Sequence, residues 1–540
     1  MRQRQPNWGA ANTSLILVIG SLAILAVLIT LLLRIDSSRP ASANPDGDGR
    51  TGPATSSDPL FVYCAAGMRY PLEEIAAAYH QEYGAPVQLQ YGGSNTLLGQ
   101  LEVSRTGDLY LAADASYTEL AHRRGLVKER LPLARMRPVI VVSQGNPKHV
   151  QGIADLIDGE VRYALGDPDA TAIGKKTRSL LAASGNWEKL KQQAAVSKPT
   201  VNDVANAVKI GSVDAGIVWD ATANQYPELT AIHDATLNQG TATIEIAVTD
   251  FAQDPTAALH FARYVAAADK GLTSFATKGF ETLAGDKWAE HPEMIFFVGA
   301  VNRRAIEPAI REFEHREGVT VNTIYNGCGI LTAQMRSMRE NQQDGFPDTY
   351  MACDVYYLDT VNELFQEGIN VSETDIVLVV PKGNPKNIRT LGDLTRSGVR
   401  VAMGQPRQCT IGVLSRRLLA SEGLYETLQK NGNVVTETTS SALLVPNITT
   451  GAADVVLAYR SDTEAEKDRL TVIDIDSPLA KAIQPFSIAK TSNFKYLGRR
   501  LFAAIAASRE DFLAAGFNWR LGDSPGAPNE KNPAHELPGN

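Results

Sequence analysis

Val141-Val142-Ser143-Gln144-Gly145-Asn146-Pro147-Lys148 returns 238 residues later as Val379-Val380-Pro381-Lys382-Gly383-Asn384-Pro385-Lys386. The stretch is one member of an ordered set. Gln90-Tyr91-Gly92-Gly93-Ser94 answers to Ile324-Tyr325-Asn326-Gly327-Cys328, and Gly107-Asp108 through Asp114 answers to Pro347-Asp348 through Asp354. Gly211 through Trp219 answers to Gly451 through Tyr459, and Lys278-Gly279-Phe280 to Ala515-Gly516-Phe517. The offset drifts only from 234 to 240, with an insertion near Glu340–Gly345 accounting for most of the drift. A period this long means duplicated domains and not a solenoid.

The copies span residues 59–288 and 293–522. Within each, short β-type runs alternate with amphipathic stretches. In 71–84, Leu72, Ile75, Ala76 and Tyr79 follow the i, i+3, i+4, i+7 spacing of a buried helix face. Strands alternating with helices predict parallel sheets covered on both sides, and a copy of this size fits two α/β lobes with a cleft between them.

A chain of 540 residues predicts about two to four domains. Its net charge of −8, without a long basic block, argues against nucleic acid as a partner. Four cysteines are too few for a disulfide scaffold. Residues 14–33 carry no charge over twenty positions, enough helix to cross a hydrocarbon core of about 30 Å. Residues 1–35 are therefore expected to be an N-terminal transmembrane anchor. The alternative is a cleaved secretory signal, for which Ala41-Ser42-Ala43 has the right form, although the apolar run exceeds a signal core of about 7–15 residues. Either reading exports the rest and places the bulk of the chain on the periplasmic or extracellular side of the cytoplasmic membrane. Residues 36–58 read as a flexible linker rich in Ser, Pro, Gly and Asp, and 523–540 as a disordered tail.

Ligands of open α/β sheets sit beyond the carboxyl ends of strands, where helices begin. Tyr91-Gly92-Gly93-Ser94-Asn95 is such a place: glycines permit a tight turn, and Ser94 is expected to cap a helix whose free N–H groups suit an anion. The plain alternative is a helix cap with no ligand. Gly174-Lys175-Lys176-Thr177 imitates the end of a P-loop, but Asp169 stands where the first glycine is required. No HExxH, G-x-S-x-G or CxxC is present, and an enzyme is not expected.

The ordered set Ala65-Ala66-Gly67, Gly93-Ser94-Asn95-Thr96-Leu97, Gly107 to Asp114, Gly145-Asn146-Pro147-Lys148, Gly166-Asp167-Pro168, Gly211 to Trp219 and Asp254-Pro255 to Phe280 resembles the molybdate-binding periplasmic proteins of ABC uptake systems. The resemblance covers nearly all of both copies. It implies two tandem type II periplasmic-binding domains, each of two α/β lobes joined by a hinge, closing on a tetrahedral oxyanion for delivery to an ABC permease. No cofactor is implied. Carried over by position, the ligand-binding residues of the first copy are Gly67, Ser94, Asn95, Ala172, Val204 and Trp219, with Ala172 and Val204 as backbone donors. Those of the second are Val301, Cys328, Gly329, Thr410, Leu444 and Tyr459. Gly67 has lost the hydroxyl of a family serine, and Trp219 stands where a tyrosine is expected. In the second copy the tyrosine returns as Tyr459, while Val301 and Cys328 replace both serines.

Cys328, Cys353 and Cys409 all fall in loops at the expected cleft. They read either as small buried residues, as a Cys328–Cys353 disulfide favoured by export, or as a soft-metal site. The alternatives to oxyanion uptake are thus a sensor or interaction protein with a degenerate pocket, and a periplasmic soft-metal-binding protein.

Overall fold

The computed structural model describes residues 59–522; the apolar run 14–33, the linker 36–58 and the tail 523–540 lie outside the described residues. Among the described residues no helix is long and apolar enough to cross a membrane.

The opening motif explains itself in three dimensions. Strands Pro138–Ser143 and Ile369–Pro381 each run into a turn with two successive left-handed residues, Gly145 and Asn146 in one copy, Gly383 and Asn384 in the other. Glycine and asparagine adopt that conformation at least cost. Each asparagine then clamps its own turn: Asn146 bonds both backbone groups of Val150, at 2.8 and 2.9 Å, and Asn384 does the same to Ile388, at 2.7 and 2.9 Å.

Each copy has two lobes. In the first copy, one sheet orders its strands Glu281–Thr282, Val127–Met136, Ala242–Thr249, Leu109–Ala112, Leu60–Ala65, Val87–Gly92. The other orders them Val196–Lys198, Tyr163–Gly166, Ala215–Trp219, Pro138–Ser143, Leu229–Ile232. Both sheets are mixed, which corrects the expectation of parallel ones. Leu60–Ala65 pairs in parallel with both neighbours, whereas Ala242–Thr249 runs antiparallel to Leu109–Ala112 and Val127–Met136. The reason is the hinge: a chain that leaves for the second lobe and returns re-enters the first sheet from the opposite end.

The crossing strand differs between copies. In the second it is unbroken, Ile369–Pro381, pairing at one end with Lys481–Ile488 and at the other with Val455–Tyr459 and Leu470–Asp474. In the first it breaks at Arg137, ahead of Pro138, which has no N–H for a ladder. Asp220 holds the break: its carboxylate accepts from Arg137 N–H at 3.1 Å, and its own N–H donates to the Arg137 carbonyl at 2.8 Å. The corresponding pair of the second copy has its charges exchanged, Arg460 facing Asp375 at 3.5 Å.

Helix Arg69–Tyr83 buries Leu72, Ile75, Ala76 and Tyr79, the face its spacing predicts, and stops at Gly84 in the left-handed region. The insertion of the second copy falls beyond helix Cys328–Glu340, in a loop with positive φ at Gln342 and Gly345. Each copy has its own apolar core. They meet through their first lobes, where Glu317 lies between Arg263 and Arg500 and the Asp286 carboxylate accepts the N–H groups of Tyr496 and Leu497, both at 2.8 Å.

Candidate functional site

The clefts are built alike. A turn glycine on the first lobe, Gly93 or Gly327, faces carbonyls of the second lobe. A Cβ on Gly93 would stand 2.4 Å from the Ala170 oxygen and 2.9 Å from that of Pro199; on Gly327 it would stand 2.7 Å from Gln408 and 2.8 Å from Thr439. Both clefts are closed, and only glycine fits where the lobes touch. Gly327→Ala is therefore expected to hold the second cleft ajar, a cost of about 1–3 kcal/mol that lowers ligand affinity roughly tenfold or more. Titrating ligand into the variant and the parent checks this; equal affinities would refute it.

In the first copy Ser94 opens helix Ser94–Ser104 but does not cap it. The cap position belongs to Gly93, and Ser94 Oγ instead accepts from the N–H of Ala113 at 3.2 Å. Asn95 bridges the lobes: its N–H donates to the Ala170 carbonyl at 3.0 Å, and its side-chain amide to Asp169 at 2.7 Å. Ala172 begins helix Ala172–Ala182, capped by Thr171. Val204 is buried in helix Val201–Lys209, and its N–H donates to the Thr200 carbonyl at 3.3 Å, within the helix turn. Trp219 is 1% exposed, its Cδ1 3.9 Å from where a Cβ on Gly67 would lie. Gly67 and Trp219 are thus brought together, and Asn95 joins the two lobes beside the turn glycine Gly93.

In the second copy Cys328 begins helix Cys328–Glu340, Thr410 begins helix Thr410–Ser421 and Leu444 begins helix Leu444–Thr449. Val301 sits in the turn Ala300–Asn302, and Gly329 against the Arg407 and Gln408 carbonyls. With glycine in place of Asn95, the side-chain bridge across the cleft is gone. A cavity of about 10 Å³ remains between the lobes, the room of one water. Thr410 and Tyr459 line it, with Cys353 and Cys409, and so do Asn326, Gly327, Ser440 and Ser441, which the sequence reading did not single out. The signal for the serines was there: Ser440-Ser441 follows strand Val434–Thr438 as the cap Thr200 follows Val196–Lys198. No lining side chain carries a formal charge.

Two hydroxyls on this cavity, Thr410 Oγ1 and Tyr459 OH, are buried with no conventional hydrogen-bond partner. Behind Ser441 lies Asp462, one of whose oxygens is also buried without a partner. Burial pushes its carboxyl up to about 7, against the pull of the Ser441 hydrogen bond and the Arg304 charge. Cys328 and Cys353 are in direct contact, their sulfurs 2.7 Å apart. Among the described residues, however, no group of three His, Cys, Asp or Glu is arranged to hold a metal ion.

The family of bacterial extracellular solute-binding proteins matches residues 60–281 and again 295–518. A binding protein of Haemophilus influenzae is 28% identical over 159 residues, which are 29% of this chain and 65% of that relative, a little under two thirds of its length. The molybdate-binding protein ModA of Mycobacterium tuberculosis is 28% identical over 207 residues, 37% of this chain and 74% of the relative. The solved periplasmic molybdate-binding protein of Azotobacter vinelandii is 14% identical, with 42% of this chain and 98% of that one covered at a TM-score of 0.36.

Proposed function

This chain belongs to the bacterial extracellular solute-binding proteins, and from that premise we propose that it captures a small tetrahedral oxyanion, of the molybdate or tungstate type, in the cleft of its second copy. The oxyanion is handed to an ABC permease, and the apolar segment 14–33 keeps the binding protein tethered at the membrane. The observation that carries this reading is the pair of buried hydroxyls on a cavity between the lobes, Tyr459 OH with no hydrogen-bond partner and Thr410 Oγ1 with only cysteine sulfur beside it. Each unsatisfied group costs roughly 1–3 kcal/mol, and an oxyanion that accepts from both recovers that cost with a charge-assisted bond. The starts of helices Cys328–Glu340 and Thr410–Ser421 add oriented N–H dipoles, so no cationic side chain is required. Kinship with a protein named for molybdate supports the ligand class. The closed cavity is smaller than such an ion, so the lobes part about the strands Ile369–Pro381 and Lys481–Ile488 to admit it.

The first copy fits a non-transport role, because Asn95 already joins its lobes where a ligand would sit. Thermal unfolding with molybdate, tungstate, sulfate and phosphate at matched ionic strength tests the assignment. Ligand at a hundredfold excess over Kd adds about 2.7 kcal/mol. The expected outcome is a rise in Tm with molybdate or tungstate beyond that with chloride. No rise with any of the four would remove the proposal.

The carboxyl of Asp462 adds a pH dependence. Its folded value, about 7, lies above the ordinary value of 3.8, so the folded protein favours the neutral acid and the associated stability declines as pH rises through about 7. The same ionisation places a negative charge behind Ser441. Oxyanion affinity is expected to weaken from pH 6 to pH 8, and Asp462→Asn to flatten the profile and stabilise the protein more at pH 8 than at pH 5. Parallel profiles for parent and variant would contradict this.

A further inference from the structure

We propose that Cys328 and Cys353 are a redox-modification site: a dithiol on the floor of the second cleft that closes to a disulfide by exchange with a small disulfide such as oxidised glutathione. The inference is independent of what the cleft binds.

The two sulfurs stand 2.7 Å apart, and the N–H of Cys353 donates to Cys328 Sγ at 3.1 Å. They are brought together by rigid elements, the start of helix Cys328–Glu340 and the segment just after strand Thr349–Met351. The strongest argument is a comparison inside the chain. In the first copy the same positions hold Ser94 and Ala113, joined by a single hydrogen bond of 3.2 Å, and the adjacent strand residue is Ala65. In the second copy serine and alanine have both become cysteine, and the adjacent residue has become Gly299. A Cβ there would lie 2.3 Å from Cys353 Sγ and 2.7 Å from Cys328 Sγ. At a single point in the core the second copy has two sulfurs more and one methyl less than the first, a three-residue difference that accommodates the thiols as a pair. Packing alone would not call for it, since serine and alanine fill the same place in the first copy.

The other cysteines do not compete. Cys64 is buried in the core of the first copy, and Cys409 directs its sulfur to the Thr438 and Gln405 carbonyls at 3.5 and 3.7 Å. Burial works against ionising either thiol of the pair. Hydrogen bonds from Cys353, from its N–H and from the Tyr350 and Thr410 hydroxyls nevertheless carry the Cys328 thiol below its ordinary value, while Cys353 is pushed well above. A thiol so placed at a helix start is suited to complete the exchange.

Access is through Cys353, which lines the cavity, when the lobes part. The same opening admits water and removes the burial that holds Cys353 protonated, so its thiolate attacks one sulfur of the small disulfide, the S–S bond breaks, and one thiolate leaves. The Cys328 thiolate then attacks Cys353 Sγ of the mixed disulfide and expels the second. The two cysteines lose two electrons and two protons; the oxidant gains them and departs as two thiols. Extracytoplasmic solute-binding proteins work where such oxidants persist.

The test uses the intact chain, incubated with oxidised glutathione or with dithiothreitol, acid-quenched, denatured, alkylated and analysed by peptide mass spectrometry. Alkylatable thiols are expected to fall from four to two on oxidation, with one linked peptide pair containing Cys328 and Cys353, and to return to four with dithiothreitol. Cys328→Ser and Cys353→Ala, the residue types of the first copy, are expected to fold and to yield no intramolecular link. Oxidised parent protein is expected to melt above reduced protein, and the Cys328→Ser/Cys353→Ala double variant at one temperature in both conditions. Four free thiols after oxidation, or a link through Cys64 or Cys409, would overturn the proposal.

Discussion

Replacing Glu317 by alanine is expected to cost about 3–5 kcal/mol and to let the two copies unfold separately. Glu317 belongs to the second copy and its side chain is 3% exposed, between Arg263 of the first copy at 8% and Arg500 of the second at 11%. Arg500 grips the carboxylate with both arms, at 2.6 and 3.2 Å, while Arg263 reaches one carboxylate oxygen at 3.3 Å and the Glu317 carbonyl as well. Burial alone would push this carboxyl up, yet the two guanidiniums hold it below its ordinary value. Without it, two guanidiniums remain buried at the junction with their charge uncompensated. The copies would then be joined without this ion-paired centre, by Arg316 with Glu129, Asp286 at the start of helix Lys495–Ala507, Thr256 with the His315 and Arg316 carbonyls, and Lys287 with the Asn493 carbonyl. Calorimetry is expected to show one cooperative transition in the parent and two in Glu317→Ala. Replacing Arg263, Glu317 and Arg500 together by apolar residues of similar size is expected to cost far less than the single change. A single change that costs under about 1 kcal/mol, the range of an exposed pair, would refute this account of the junction.

Thr410→Val with Tyr459→Phe is expected to abolish measurable oxyanion binding while leaving the ligand-free protein as stable as the parent or more so. Each substitution deletes one hydroxyl and keeps the shape. A hydrogen bond to a charged group is worth about 1.5–3 kcal/mol, so each change costs roughly ten- to a hundredfold in affinity, and together they approach the product. Tyr459 OH has no hydrogen-bond partner and Thr410 Oγ1 only weak cysteine-sulfur ones, so their removal relieves a desolvation cost. Loss of binding with retained or raised Tm separates a ligand-contacting role from a structural one. Trp219→Phe in the first copy is expected to leave affinity unchanged. Titration calorimetry and thermal unfolding on the same samples check both halves. A variant that binds like the parent would remove these hydroxyls from the site.

Much of this was legible in the residues because it is local. Gly145-Asn146 and Gly383-Asn384 announce their turns, Leu72 to Tyr79 announces a buried face, and Trp219 against Tyr459 already marks the clefts as unequal. What escaped depends on residues distant in sequence. The mixed sheets follow from where the chain re-enters the first lobe, which alternation of strand and helix does not encode. The lobe-to-lobe contacts made by Asn95 involve Asp169 and Ala170, 74 residues or more away. Ser94 looked like a cap because serine usually is one there, but the Ala113 N–H claims its hydroxyl. The exchange at Gly299 was visible letter by letter, yet meaningless until the strand register placed Gly299 beside both sulfurs. The Arg263–Glu317–Arg500 junction spans separations of 54 and 183 residues with no periodic signal.

Two unequal clefts on one chain, with the oxyanion in the second, is most directly tested by titrating molybdate into the intact chain in a calorimeter. The predicted result is one site per chain, lost in Thr410→Val/Tyr459→Phe and kept in Ser94→Ala. No heat with molybdate, tungstate or sulfate, or binding that survives the double variant and disappears with Ser94→Ala, would contradict it.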